Sequence, residues 1–200
     1  ANLQTRPRIV VLGDSITAGY GIEPSKAYPA LLQEKIDQAG WKFEVVNAGI
    51  SGDTTAGGLR RIDWALSKSA RVLIVALGGN DGLRGISPQQ TEKNLLAILQ
   101  RARAKIPDLL VVIAGMEMPD NMGPRFVEEY KAVFARVAAE TRSELVPFLL
   151  EGVGGIEALN QADMIHPTIE GQRRIAETVW KKLEKVLKSA AEVAMPAPAS

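Results

Sequence analysis

Short, almost wholly apolar runs separated by helix-length segments constrain this chain more than any other feature of its sequence. Arg8-Ile9-Val10-Val11-Leu12, Phe43-Glu44-Val45-Val46, Val72-Leu73-Ile74-Val75-Ala76-Leu77 and Leu109-Leu110-Val111-Val112-Ile113 read as strands, with a weaker one around Glu144-Leu145-Val146. Three of the first four lack the apolar/polar alternation of a half-exposed strand, as expected of a parallel sheet covered on both faces. The segments between them carry helix signals. Ala27 to Ala39 stops at Gly40, a C′ glycine. Ser87-Pro88-Gln89-Gln90 offers an N-cap serine, proline at N1 and glutamine at N3. Leu95, Leu99, Ala102 and Ile106 then form one apolar stripe, Val127, Tyr130, Phe134 and Val137 a second, and Ile175, Val179, Leu183 and Val186 a third. This alternation predicts a three-layer α/β/α domain around a flavodoxin-like, doubly wound parallel sheet of about five strands. No linker interrupts residues 1–189, which are expected to form a single domain. The Ala/Pro-rich stretch 190–200 is expected to be a disordered tail.

Composition narrows the classes of partner. A formal net charge of +1 gives no electrostatic reason to expect nucleic acid or an anionic membrane. The Lys181, Lys182, Lys185, Lys188 run reads as the solvated face of a last helix. The chain has no cysteine, which excludes disulfides, thiolate metal sites and a cysteine nucleophile. No apolar run approaches the roughly 18 residues that span a bilayer. No signal-peptide pattern is expected in this sequence, which starts at Ala1 rather than Met, as a mature exported chain would. No metal site or stable membrane insertion is expected, and the chain is expected to act as a monomer.

In a doubly wound sheet the ligand crevice lies at the carboxyl ends of the strands. The polar, glycine-rich segments of this sequence fall there. Gly13-Asp14-Ser15 follows the first strand, Asn47 to Thr54 the second, Gly78-Gly79-Asn80-Asp81-Gly82 the third, and Met116 to Gly123 the fourth. The only histidine, His166, lies three residues after Asp163. Histidine is the side chain that titrates unperturbed near neutral pH, so His166 is the candidate base. It can activate the Ser15 hydroxyl, with Asp163 holding the ring in the correct tautomer. The N–H groups of Ser15 and Gly52 and the side-chain amide of Asn80 are candidate oxyanion donors.

Gly13-Asp14-Ser15-Ile16-Thr17, the glycine of Ser51-Gly52-Asp53-Thr54, Gly79-Asn80-Asp81 and Asp163-Met164-Ile165-His166 resemble, in order, the four sequence blocks of the SGNH (GDSL-type) hydrolases. The resemblance runs from near residue 8 to near residue 187. The longer strings Ile50 to Thr54 and Leu77 to Gly85 are similar to one branch, the bacterial periplasmic acyl-thioesterases that also act as arylesterases and lysophospholipases. The resemblance implies Ser15 as nucleophile, Gly52 and Asn80 completing the oxyanion hole, His166 as base with Asp163 behind it, and no cofactor. It also implies a periplasmic or secreted protein acting on small acyl esters or thioesters.

Each residue has a plainer role to be weighed against this. Ser15 could cap the helix after the first strand, Gly52 could only permit a positive φ, and Asn80 could only brace its loop. Asp14, Asp53 and Asp81 are expected to be turn and cap residues. Three of the five methionines, Met116, Met118 and Met122, cluster after the fourth strand. With Leu83 and Ile86 opposite, they are the candidate acyl-chain contacts, since methionine adapts to flexible apolar ligands. Two other functions stay open: a carbohydrate O-deacetylase on the same fold, and a non-catalytic α/β ligand-binding module.

Overall fold

The computed structural model describes residues 6–194. Five strands, β1 (Arg8–Gly13), β2 (Glu44–Gly49), β3 (Ala70–Ala76), β4 (Leu110–Ala114) and β5 (Glu144–Val146), form one sheet in the order β2-β1-β3-β4-β5. Every neighbouring pair is parallel. Among the described residues the seven α-helices are α1 (Ser15–Ala18), α2 (Tyr28–Gln38), α3 (Thr55–Ala65), α4 (Gly79–Leu83), α5 (Pro88–Lys105), α6 (Pro124–Glu140) and α7 (Ile169–Ala194). Helix α2 packs on α7, while α3, α5 and α6 lie side by side. These two groups are the outer layers of the predicted three-layer fold. The central strands are sealed between them, with Ile9, Leu12, Val72, Leu73 and Val112 at 0% or near-zero exposure. That double burial is why the strands read as unbroken apolar runs.

Local helix signals act as expected, with two differences. Gly40 adopts φ +78° just after α2, and the Ser87 hydroxyl accepts a hydrogen bond from the Gln90 N–H at 3.1 Å. The Gln90 side chain, however, donates to Asn94 Oδ1 at 2.9 Å rather than folding back, so the cap is made from one side only. At the other end of the chain the expected tail boundary is wrong. Helix α7 continues through residue 190 to Ala194, and Ala190 is buried. The alanines at 190 and 191 are strong helix formers, and proline first appears at position 196. Residues 195–200 lie outside the described residues.

Strand β2 extends through Asn47, Ala48 and Gly49, which by local signals belong to a loop. Ala48 and Gly49 pair with Leu12 and Gly13 of β1. Helix α3 gave no clear sequence signal because Gly57 and Gly58 weaken its propensity. Packing explains both glycines. A Cβ at Gly57 would lie 1.6 Å from Asp53 Oδ1, and one at Gly58 would lie 2.4 Å from Leu77 Cδ1. The chain goes from β1 outward to β2 and then returns to place β3 on the other side of β1. The crevice at that switch point lies between the loops after β1 and β3, which carry Ser15 and Asn80.

Candidate active site

Ser15 is the first residue of α1, but it does not cap it. The cap is Asp14, whose Oδ1 accepts a hydrogen bond from the Ile16 N–H at 3.0 Å. The Ser15 hydroxyl is thereby left for another partner. The turn is tight, since a Cβ at Gly13 would stand 1.9 Å from Thr17 Oγ1. From the opposite side, Gln172 of α7 holds the turn. Its Nε2 donates to the Ile16 carbonyl at 3.0 Å, and its Oε1 accepts from the Tyr28 N–H at 2.8 Å.

Burial pushes the Asp14 carboxyl up from 3.8 to about 6, against the opposing hydrogen bonds from the backbone. Below pH 4 the group is protonated in folded and unfolded chains and adds no cost. Between pH 4 and 6 the unfolded chain ionises first, so stability falls as pH rises, and above 6 the full cost remains. The gap corresponds to about 3 kcal/mol. Asp14→Asn keeps an oxygen for the cap and removes the charge. It is expected to raise the denaturation midpoint at pH 7–8, with the gain vanishing near pH 4. Denaturant melts across that range check this, and a gain that did not depend on pH would refute the charge argument.

His166 reaches Ser15 from the far end of the chain, with Ser15 Oγ and His166 Nε2 2.9 Å apart. Asp163 does two jobs in the same turn. Its Oδ1 accepts the N–H groups of Ile165 and His166 at 2.9 and 3.0 Å, and its Oδ2 meets His166 Nδ1 at 2.5 Å. Hydrogen bonds from the imidazole and from those two N–H groups lower the Asp163 carboxyl to about 2. The i, i+3 spacing thus closes through a carboxylate that shapes the backbone and orients the ring together. Met164, between them, takes φ +60°, a strained conformation for a side-chain-bearing residue. The Tyr20 ring lies over the imidazole, centroids 4.3 Å apart. Sequence reasoning passed over Tyr20. Its only local signal is its position between Gly19 and Gly21, both at positive φ.

Gly52 sits in the turn after β2 with φ +80°, and its N–H makes no hydrogen bond among the described residues. The Ser15 N–H, at the start of α1, lacks an intrahelical acceptor. Asn80 Nδ2 donates to the Asp53 carbonyl at 2.8 Å, which spends one of its two hydrogens and orients the other. Asp81 is fully buried. Its carboxylate accepts from the Thr55 N–H at 2.8 Å, the Thr55 hydroxyl at 2.5 Å and the Thr91 hydroxyl at 3.1 Å. From α4 it therefore satisfies the first N–H of α3, beside the Thr54 cap, rather than its own turn. A serine, an imidazole, a carboxylate and orphan N–H donors in this order can transfer an acyl group by way of a serine adduct. Among the described residues, no group of three or more His, Asp or Glu side chains is arranged to hold a metal ion.

A cavity of about 470 Å³ opens beside Ser15, within the usual size of small-molecule sites. Leu83, Met116 and Met118, three of the five candidate acyl-chain contacts, line it. Ile86 and Met122 do not. Met122 packs against the core, and Ile86 stands half-buried beyond the turn at Gly85. Their places are taken by Ile16, Phe148, Leu150, Met164 and Ile165, from loops far apart in sequence. Among the described residues, no helix is long and apolar enough to cross a membrane.

Residues 11–174 match the family model described as the GDSL-like Lipase/Acylhydrolase family. The chain is 46% identical to "Esterase TesA" of Pseudomonas aeruginosa over 180 residues, covering 90% of this chain and 89% of that protein. It is 41% identical to "Thioesterase 1/protease 1/lysophospholipase L1" of Escherichia coli K12, covering 90% of this chain and 84% of the relative. A crystal structure of TesA superposes with a TM-score of 0.85 at 44% identity, covering 89% of this chain and 98% of that one. The crystal structure of AlinE4, an SGNH-hydrolase family esterase, does so at 0.75 and 35% identity, covering 96% and 98%.

Proposed function

The chain belongs to the GDSL-like lipase/acylhydrolase family, and from that membership we propose that it hydrolyses acyl esters and thioesters through an acyl-enzyme on Ser15. Carboxylic ester hydrolysis is the activity of the family. The observation that carries the serine mechanism is the hydrogen-bonded line Ser15–His166–Asp163, with spacings of 2.9 and 2.5 Å, at the mouth of a mainly apolar cavity.

Ser15 Oγ attacks the acyl carbonyl carbon as His166 Nε2 takes its proton. Asp163 accepts from Nδ1–H and stabilises the imidazolium. The carbonyl oxygen, now an oxyanion, is met by the N–H groups of Ser15 and Gly52 and the second hydrogen of Asn80 Nδ2. Collapse of the adduct breaks the bond to the alcohol or thiol, which leaves with the proton from Nε2. Water, deprotonated by the same nitrogen, attacks the acyl-serine and returns Ser15. No step calls on a cofactor. The names of the relatives favour esters, acyl thioesters and lysophospholipids as substrates. The acyl chain is assigned to the cavity formed by Leu83, Met116, Met118, Phe148 and Leu150. Action as a monomer outside the cytoplasm is part of the same reading.

Hydrolysis of p-nitrophenyl esters from acetyl to palmitoyl tests this. Turnover should peak at medium or long chains, because each methylene buried contributes about 0.8 kcal/mol. Turnover confined to acetate would sink the acyl-chain assignment and point to a deacetylase.

A further inference from the structure

Arg61 is a polar residue of α3 that the chemistry above does not use. Its side chain is only 13% exposed. The guanidinium reaches three segments of the site at once. Nε donates to Asp53 Oδ2 at 2.7 Å, Nη1 to the Ala48 carbonyl at 2.7 Å, and Nη2 to the Gly13 carbonyl at 2.9 Å. Gly13 ends β1, two residues before Ser15, and Ala48 is the penultimate residue of β2. Asp53 follows Gly52 directly, and its carbonyl is the acceptor that orients the Asn80 amide. One planar cation therefore joins the nucleophile turn to the loop that carries Gly52 and, through the Asp53 carbonyl, to the Asn80 amide. Room for the Asp53 partner is made by Gly57, where any Cβ would collide with that carboxylate.

We propose that Arg61 is a positioning residue that sets the distance between Ser15 and the oxyanion donors Gly52 and Asn80. This rests on the serine reading above. Arginine is suited to the place because its fork directs several donors from one rigid plane. A lysine ammonium could pair with Asp53, but it lacks the fixed geometry to bridge two carbonyls on adjacent strands. Without Arg61 the Ala48 carbonyl and the Asp53 carboxylate lose a charged donor, the Gly13 carbonyl keeps only the Ile50 N–H at 3.1 Å, and the Gly52–Asp53 turn is free to drift. A displacement of about 1 Å between reacting groups costs on the order of a hundredfold in rate.

The test compares Arg61→Met and Arg61→Lys with wild type and Ser15→Ala, using p-nitrophenyl butyrate. We expect Arg61→Met to lower kcat by roughly a hundredfold with little change in KM. Affinity for an alkylboronic acid, which forms a tetrahedral adduct on Ser15 Oγ, should fall in parallel, while octanoate binding holds. Arg61→Lys should recover the melting temperature and leave kcat depressed, a split that a purely structural role would not produce. If Arg61→Met fails to fold, Arg61→Lys alone carries the same comparison. Full kcat in either folded variant, or unchanged boronate affinity beside reduced turnover, overturns the proposal. Ser15→Ala separates the two levels: if it keeps its turnover, the serine reading has failed, whatever Arg61 does.

Discussion

Ser15→Ala is expected to lower kcat by on the order of 10⁴-fold or more while leaving the fold intact. The hydroxyl supplies the only atom in the proposed mechanism that bonds to the acyl carbon, so nothing else at the site can form the intermediate. The residual rate should come from the oxyanion donors and from binding, both untouched by the change. Stability should hardly move. The cap of α1 is the Asp14 carboxylate rather than Ser15, and the hydroxyl's partner His166 keeps its bond to Asp163. Turnover of p-nitrophenyl esters beside a thermal melt reads both quantities. A variant with native stability and near-native kcat would mean that the acyl-enzyme on Ser15 does not exist.

Asp163→Asn is expected to cost on the order of 10³ to 10⁴ in kcat, and it separates the two jobs of that carboxylate. An asparagine Oδ1 can still accept the N–H groups of Ile165 and His166, so the turn survives. Its amide cannot accept a proton from Nδ1, so the ring is driven to the tautomer that cannot take the Ser15 proton. Asp163→Ala removes both contacts and should lower the melting temperature as well as the rate. The Asp163 carboxyl, held down to about 2, stays ionised across any working pH. Its contribution to stability is therefore present above pH 4 and lost only as pH falls toward 2. An acid limb in the wild-type rate profile would report some other group. If Asp163→Asn kept its rate while Asp163→Ala lost it, the carboxylate would be only a backbone brace.

The sheet was legible because its strands are sealed on both faces, which leaves continuous apolar runs that no other element explains. The positions of Ser15 and His166 were legible for a different reason: each stands in a short polar turn beside residues of matching chemistry. Features without a local signature were not legible. Helix α3 was hidden by Gly57 and Gly58, whose cost in helix propensity is visible while the space they make for Asp53 and Leu77 is not. Asp81 read as a residue of its own turn, yet it accepts the first N–H of a different helix, α3. Met122 belongs to a methionine cluster in sequence but turns inward to the core, and Ile165, unremarkable in sequence, lines the cavity.

From the sequence alone, then, the fold class, a crevice at the carboxyl ends of the strands and the candidate residues for acyl transfer follow from local periodicity and turn chemistry. The tertiary structure alone decides how they meet. Ser15 and His166 are 151 positions apart, and they stand 2.9 Å apart through long-range contacts such as Gln172 of α7 on the nucleophile turn and Gln161 on the Tyr20 carbonyl. The ring of Tyr20 over the imidazole, the three-way reach of Arg61 and the set of side chains around the cavity are likewise long-range. Local sequence sets which conformations a segment prefers. Contacts between distant segments depend on the burial of the whole sheet, which no short window of the chain contains.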